Sequence, residues 1–324
     1  MGVVGRVIMM MMPITPKFIV RWVANRYVAG PELSDAIQVM QSMQSQGACF
    51  TLDVLGEEIT SLDEAEFFVN EYNRAVDAIV SEGVDANISL KPTAFGLLID
   101  RDRAIENIEK ITKKAAQNDI FVRLDMEDNR VTQSTIDIVI EMQNRGLSNI
   151  GTVLQSRLFR TGDDIEFLAS TLGGNSDVRI CKGIYLESDS IAHTKYQDIV
   201  NATNEAVDNL LDAGAYTAIA SHDIPVIDYS LSALAKREMG PGIEDPRQNA
   251  SESRAGKGPG YEFQMLLGVR GNIRRKLAKE GHRTRVYIPY GGRWYEYSMR
   301  RLRENPDVAW HVAKSIIMPW TNRR

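Results

Sequence analysis

The residues best suited to chemistry lie near the carboxyl end of the chain. Tyr287-Ile-Pro-Tyr-Gly291 is followed by Trp294-Tyr-Glu-Tyr-Ser-Met-Arg-Arg-Leu-Arg-Glu-Asn-Pro306. The second stretch reads as a helix ended by Pro306, which also restricts its predecessor Asn305. Helical spacing puts Tyr295, Met299 and Leu302 on an apolar stripe that packs the helix down, and Tyr297, Arg300, Arg301 and Glu304 on a second stripe. Two adjacent guanidinium groups on a short aromatic helix suit a carboxylate. Arginine's planar fork bonds both oxygens, and a hydrogen bond to a charged group contributes ~1.5–3 kcal/mol. The same residues also fit a solvated face with an Arg300–Glu304 pair, which contributes only about 0.2–0.5 kcal/mol. Spacing alone leaves both readings open.

Further candidates fall at the ends of short apolar runs: Asp53, Lys91, Asp125, Gln155, Lys182, His222, Gln264 and Tyr287. Such positions are frequently polar because they meet solvent. As a set they say more. Lys91, Asp125, Lys182 and the two arginines at one mouth would need a shared ligand or a charge network. Arg179 lies inside its run, Asp177-Val-Arg-Ile-Cys-Lys182, where a cation is costly unless paired or hydrogen-bonded. Asp125, two strands away, is the candidate partner, and the contact would lower its pKa. A structural ion pair and a cation aimed at a cofactor's electron-rich ring both fit Arg179.

The elements that must hold these groups alternate. Apolar runs begin near Cys49, Ala86, Ile120, Ile150, Asp177, Ala215, Tyr261 and Thr284, with helix-period stretches such as 62–81, 104–118, 132–145 and 194–213 between them. Eight β–α units at this length predict an α/β protein, a (β/α)8 TIM barrel whose functional groups gather at the carboxyl ends of the strands. An open doubly wound sheet lacks its fingerprint, because Gly256-Lys-Gly258-Pro-Gly260 leads into a strand and not out of one. The expected organisation is an N-terminal tail and helical arm over 1–45, then the barrel with its catalytic C-terminal helix over 46–324. Residues 238–260, rich in glycine, proline and charge, read as one long, mobile, structureless loop.

Composition bounds the function. A chain that is 44% hydrophobic and 25% charged is ordinary for a globular protein, and a net charge of −5 gives nucleic acid no electrostatic foothold. Cys49 and Cys181, far apart in apolar runs, read as buried thiols in a reducing compartment. His193, His222, His282 and His311 lack metal-ligand spacing, so no metal is expected. The Met-rich run at 7–12 is too short to span a bilayer, and no signal-peptide cleavage site follows it. Residues 17–28 read as an amphipathic helix that packs on the domain, with a membrane-surface role as the lesser reading.

Several segments resemble the proline dehydrogenase family. They are Ile88-Ser-Leu-Lys-Pro92, Val122-Arg-Leu-Asp-Met-Glu127, Val178-Arg-Ile-Cys-Lys-Gly-Ile-Tyr185, Ala220-Ser-His-Asp223, Tyr261-Glu-Phe-Gln264, Arg285-Val-Tyr-Ile-Pro-Tyr-Gly291 and Tyr297-Ser-Met-Arg-Arg-Leu-Arg-Glu304. The likeness runs in order from about residue 45 to residue 306. It implies a distorted (β/α)8 barrel that binds FAD without a covalent link. The implied reaction oxidises L-proline to Δ1-pyrroline-5-carboxylate and passes electrons to a membrane quinone. By the same resemblance Arg300 and Arg301 hold the substrate carboxylate, with Lys91 as a third cationic contact. Asp125 is the active-site acidic residue, and Arg179 lies near flavin N5. Met126, Gln155, Lys182, Gly183, Ile184, Ser221 and His222 are flavin contacts. Tyr185, Tyr287 and Tyr297 close over the proline ring, and Tyr287 crowds a ring hydroxyl, favouring proline over hydroxyproline. The hydride chemistry would belong to the flavin and the orientation to the protein. Fixing the carboxylate at one end sets C5 of the ring at the other.

The sequence departs from the family pattern in three places. The 238–260 insertion is longer than the resemblance implies, and Cys181 stands where an aliphatic residue is expected. The chain ends at residue 324 without a fused aldehyde dehydrogenase, which implies a separate pyrroline-5-carboxylate dehydrogenase as partner. The implied location is the cytoplasm, with peripheral contact on the inner face of the cell membrane. From the residues alone two other readings stand: a Schiff-base lyase or aldolase using Lys91 or Lys182, and a non-catalytic amino-acid-binding barrel.

Overall fold

Strand after strand pairs in parallel until the eighth closes on the first. The strands are β1 (Ala48–Val54), β2 (Ala86–Leu90), β3 (Val122–Leu124), β4 (Ile150–Gln155), β5 (Asp177–Cys181), β6 (Tyr216–Ala220), β7 (Tyr261–Leu266) and β8 (Thr284–Tyr290). The computed structural model describes residues 26–250 and 260–295, with Arg21, Ala24 and Tyr297 beside them. All eight expected runs are strands, and β3, the shortest, begins at Val122 instead of Ile120. The helices are α1 (Leu33–Gln44), α2 (Leu62–Glu82), α3 (Arg101–Ala116), α4 (Thr132–Asn144), α5 (Thr161–Leu172), α6 (Tyr196–Asp212), α7 (Ile224–Lys236) and α8 (Gly271–Lys279). The four stretches expected as helices correspond to α2, α3, α4 and α6.

Local chemistry accounts for the helices. In α2 the buried residues Ala65, Phe68, Tyr72, Ala75, Val76 and Ile79 recur at helical spacing, and Gly83 ends the helix at φ 60°. The Asp100 carboxylate caps α3 by accepting from the backbone N–H groups of Asp102 and Arg103. Helix α1 lies inside the stretch expected as an arm, yet it buries Ala36, Ile37, Met40 and Met43 against β1, β8 and α2. It covers the seam where the barrel closes. The helical segment after β8 instead brings Tyr297 against Leu55, just past the carboxyl end of β1.

Alternation along the strands sorts the side chains. Phe50, Leu52, Ile88, Leu90, Val122, Leu124, Val178 and Ile180 form cores beneath the helices. The opposite parity faces the axis, and there the barrel is polar where branched aliphatics are usual. Asp53, Asp125, Asp177 and Glu262 stand against Lys91, Arg123, Arg179 and Arg285, all buried. Each of these acids faces a base, which offsets the desolvation that isolated charges would suffer. Arg123 crosses β4 to pair with Asp177 and donates to the carbonyls of Thr152 (2.9 Å) and Asp177 (2.7 Å). Gly151 makes the room: a Cβ there would lie 2.8 Å from Arg123 Nη1 and 2.3 Å from the Asp177 carbonyl oxygen.

Two expectations change. Both cysteines share the inward parity and are half-buried instead of buried, with Cys181 packed against an apolar cluster. The Cys49 thiol donates to Asp85 at 3.1 Å and is pushed up to about 12, chiefly by burial. The described part of the loop at 238–250 has neither helix nor strand but is tied down. Arg247 pairs with Asp245 and donates to the carbonyls of Leu211 and Ala215, each at 3.0 Å. The helix expected at 17–28 falls mostly outside the described residues, as does the Met-rich run. Among the described residues no helix is long and apolar enough to cross a membrane.

Candidate active site

Arg179 enters the barrel from the middle of β5 and donates in two directions. Its Nη1 reaches Asp125 Oδ1 at 2.6 Å and its Nε reaches Gln264 Oε1 at 2.6 Å. The guanidinium also lies over the Tyr287 ring, 5.3 Å from its centroid. Its Nη2 is buried with no hydrogen-bond partner among the described residues. Pairing with Asp125 and hydrogen bonding to Gln264 explain how a strand tolerates this cation. The unspent donor is what a purely structural pair would not need.

Asp125 is the hub. Its Oδ1 also accepts from Ser89 Oγ at 2.5 Å, while Oδ2 accepts from the Tyr287 hydroxyl at 2.5 Å and faces Lys91 Nζ at 3.9 Å. Burial pushes its carboxyl up, but Arg179 and then Lys91 outweigh that and hold it below the usual carboxylate range. A carboxylate so engaged is a poor proton acceptor, and its geometry suits fixing Arg179, Lys91 and Tyr287. Lys91 also pairs with Asp53. Burial works against its charge, yet Asp53 and Asp125 hold the ammonium above its ordinary pKa, with a smaller contribution from Tyr297.

Lys182 does not join this network. It pairs with Asp223 and lies over the Tyr196 ring, 4.5 Å from the centroid. Around it lie the other positions expected to hold a cofactor, at the carboxyl ends of β3 to β6. Gln155 donates to the Glu127 carbonyl at 2.8 Å. Gly183 sits at φ 92°, and a Cβ there would lie 2.9 Å from Gln155 Oε1 and 2.8 Å from Arg157 Cδ. The next residues are Ile184, exposed, and Tyr185, whose carbonyl accepts from Arg157. Met126 and Ser221 are buried, and Ser221 Oγ accepts from the Asp223 N–H at 3.1 Å. His222 Nε2 accepts from the Leu266 N–H at 2.8 Å, so any proton on a neutral ring sits on Nδ1.

Gln264 and Tyr287 are not at strand ends, because β7 continues to Leu266 and β8 to Tyr290. Their side chains act from inside the barrel, below its rim. Tyr297 is buried with Val28 and Leu55, with Trp294 packed against them, whereas Tyr295 is half-buried. That reverses the packing expected of the two tyrosines. Arg300 and Arg301 lie outside the described residues, together with Met299, Leu302 and Glu304.

Sequence reasoning passed over three groups that belong to this constellation. Ser89 and Glu262 have the same inward parity as Asp125, and that parity was the available signal. Glu127 lies one step beyond, accepting from the Thr93 N–H at 3.0 Å and from the Thr93 hydroxyl. Burial pushes its carboxyl up to about 7.

A closed parallel barrel with convergent charges at the carboxyl ends of its strands is the architecture of a (β/α)8-barrel enzyme. The family model described as proline dehydrogenase matches residues 36–314. The chain is 36% identical over 287 residues to Proline dehydrogenase 2 of Bacillus subtilis (strain 168), covering 89% of this chain and 88% of that one. It is 32% identical over 302 residues to Proline dehydrogenase of Deinococcus radiodurans, covering 91% and 90%. Among solved structures, proline utilization A (PutA) from Bdellovibrio bacteriovorus inactivated by N-propargylglycine superposes with a TM-score of 0.76 at 20% identity. That match covers 87% of this chain and 32% of the larger protein, and it supports the fold. The chain belongs to the proline dehydrogenase family.

Proposed function

We propose that this enzyme oxidises L-proline to Δ1-pyrroline-5-carboxylate by hydride transfer to FAD and delivers the electrons to a quinone. In this reading it meets the membrane peripherally from the cytoplasmic side, and a separate pyrroline-5-carboxylate dehydrogenase consumes the product. The observation that carries the reading is a buried Arg179 with an unspent Nη2, fixed by Asp125 and Gln264. An electron-rich ring would satisfy that donor.

Met126, Gln155, Lys182, Gly183, Ile184, Ser221 and His222 would hold the cofactor, which when bound supplies the hydride acceptor. Lys91, with Arg300 and Arg301, holds the substrate carboxylate and so fixes the ring's far end. Tyr185, Tyr287 and Tyr297 cover the methylenes and exclude water. Asp125 remains ionised and electrostatic, so the substrate amine gives up its proton to water before the site closes over it. The imine-forming alternative needs a free amine, whereas Lys91 and Lys182 are both ion-paired.

The test uses purified protein. It should be yellow and should reduce a dye acceptor when proline is added. Arg301→Met should raise KM for proline sharply while flavin content stays near that of the parent. Colourless protein that is trapped by borohydride with a ketoacid would instead support the lyase reading.

A further inference from the structure

Below the mouth, the chain of contacts that fixes Arg179 continues. Gln264 Oε1 accepts from Arg179 Nε at 2.6 Å, and Gln264 Nε2 donates to Glu262 Oε1 at 2.5 Å. Glu262 is 1% exposed and is gripped from two other strands. Arg285 Nε donates to its Oε1 at 2.7 Å and the Tyr216 hydroxyl to its Oε2 at 3.1 Å. Arg285 in turn donates to the Phe50 carbonyl at 2.6 Å on β1. Arg285, outweighing the effect of burial, holds the Glu262 carboxyl down at about 2, so it stays ionised.

An amide can present either its oxygen or its nitrogen, and here the partners decide. An ionised carboxylate only accepts, and a guanidinium only donates. Gln264 must therefore turn its NH2 toward Glu262 and its oxygen toward Arg179. A flipped amide would set donor against donor at Arg179 and oxygen against carboxylate at Glu262. Orientation passes from Glu262 through Gln264 to the guanidinium. With Asp125 on Nη1 and Gln264 on Nε, acceptors from two separate strands fix the plane of Arg179, and its remaining Nη2 is left free.

We propose that Glu262 and Gln264 are positioning residues that lock the plane of Arg179 and aim its free Nη2 at the electron-rich ring of the bound cofactor. The inference rests on reading Arg179 as the cation beside that ring. A cation held there stabilises the reduced, anionic ring, so its alignment sets the two-electron potential.

The experiment measures flavin midpoint potential and anaerobic flavin reduction by proline in Gln264→Met, Gln264→Glu and Arg179→Lys holoenzymes. Gln264→Met keeps the Glu262–Arg285 pair but removes the acceptor at Nε. Its flavin reduction should slow at least tenfold with KM for proline changed less than about twofold, and its potential should move about 30 mV negative for each tenfold shift in the redox equilibrium. Gln264→Glu is the rescue. While protonated, the new carboxyl gives its carbonyl to Arg179 and its hydroxyl to Glu262, so the parent potential is kept at low pH. As pH rises and that proton leaves, the potential should fall away from the parent's, a dependence absent in Gln264→Met.

A Gln264→Met potential equal to the parent's would overturn the relay. So would identical pH behaviour of the Met and Glu variants. If Gln264→Met fails to fold, Gln264→Glu decides the matter alone by its pH dependence. If Arg179→Lys also leaves the potential unmoved, the reading of Arg179 fails. If it moves the potential and Gln264→Met does not, only the relay fails.

Discussion

The hydroxyl of Tyr287 donates to Asp125 Oδ2 at 2.5 Å, tying β8 to β3 across the barrel axis. The same ring lies under the Arg179 guanidinium. Tyr287 is thus held from both its polar tip and its face, and its position relative to a bound ring is fixed. In the proposed reading Tyr287 crowds a substrate hydroxyl, and Tyr287→Ser would open that space. The preference for proline over hydroxyproline in kcat/KM should fall roughly tenfold, the scale of an opened pocket contact. Competition kinetics with both substrates measure it, and an unchanged preference removes Tyr287 from the specificity argument.

Asp125 offsets two buried cations, so Asp125→Asn leaves Arg179 without its anionic partner and weakens the hold on Lys91. Breaking a buried pair costs about 3–5 kcal/mol. The urea midpoint should fall accordingly. The pH arm has a definite sign. The folded-state pKa lies below the ordinary 3.8. Its stabilising contribution is therefore present above that ordinary value and lost as pH falls from it toward the folded value. Parent protein should lose stability over that acid range more steeply than Asp125→Asn, and parallel curves would contradict the assignment.

Glu127 runs the opposite way. Burial raises its carboxyl from 4.5 to about 7, so the folded state favours the proton. Its contribution is full below the ordinary pKa and is lost as pH rises through about 7, a change on the order of 3 kcal/mol. Glu127→Gln keeps an acceptor for the Thr93 N–H and can donate to the Thr93 hydroxyl. Stability against pH should therefore be flatter for the variant between about pH 4.5 and pH 7. Equal slopes in denaturation series across that range would refute the buried, protonatable Glu127.

How much of this was legible in the chain depends on whether a residue's role follows a period. The strands were readable because apolar runs and helical stretches alternate without exception from Ala48 to Tyr290. The Arg179–Asp125 pair was readable because a cation inside a buried run needs an anion, and Asp125 has inward parity. The depth of Gln264 and Tyr287 was not, since Met265-Leu266 and Ile288-Pro-Tyr290 extend their strands past the last polar group. Lys182 was expected in the charged cluster, but its partner Asp223 comes from the β6–α7 turn. Loop contacts of that kind carry no period. Helix α1 was assigned to an arm because nothing in its amphipathic pattern says which surface it covers.

The most direct test is an anaerobic titration of the purified holoenzyme with L-proline, followed by visible absorbance. Stepwise bleaching of the oxidised flavin bands to completion by proline, with Δ1-pyrroline-5-carboxylate formed in equal amount to flavin reduced, is the predicted result. Protein that carries flavin yet keeps its full absorbance at saturating proline would contradict the account.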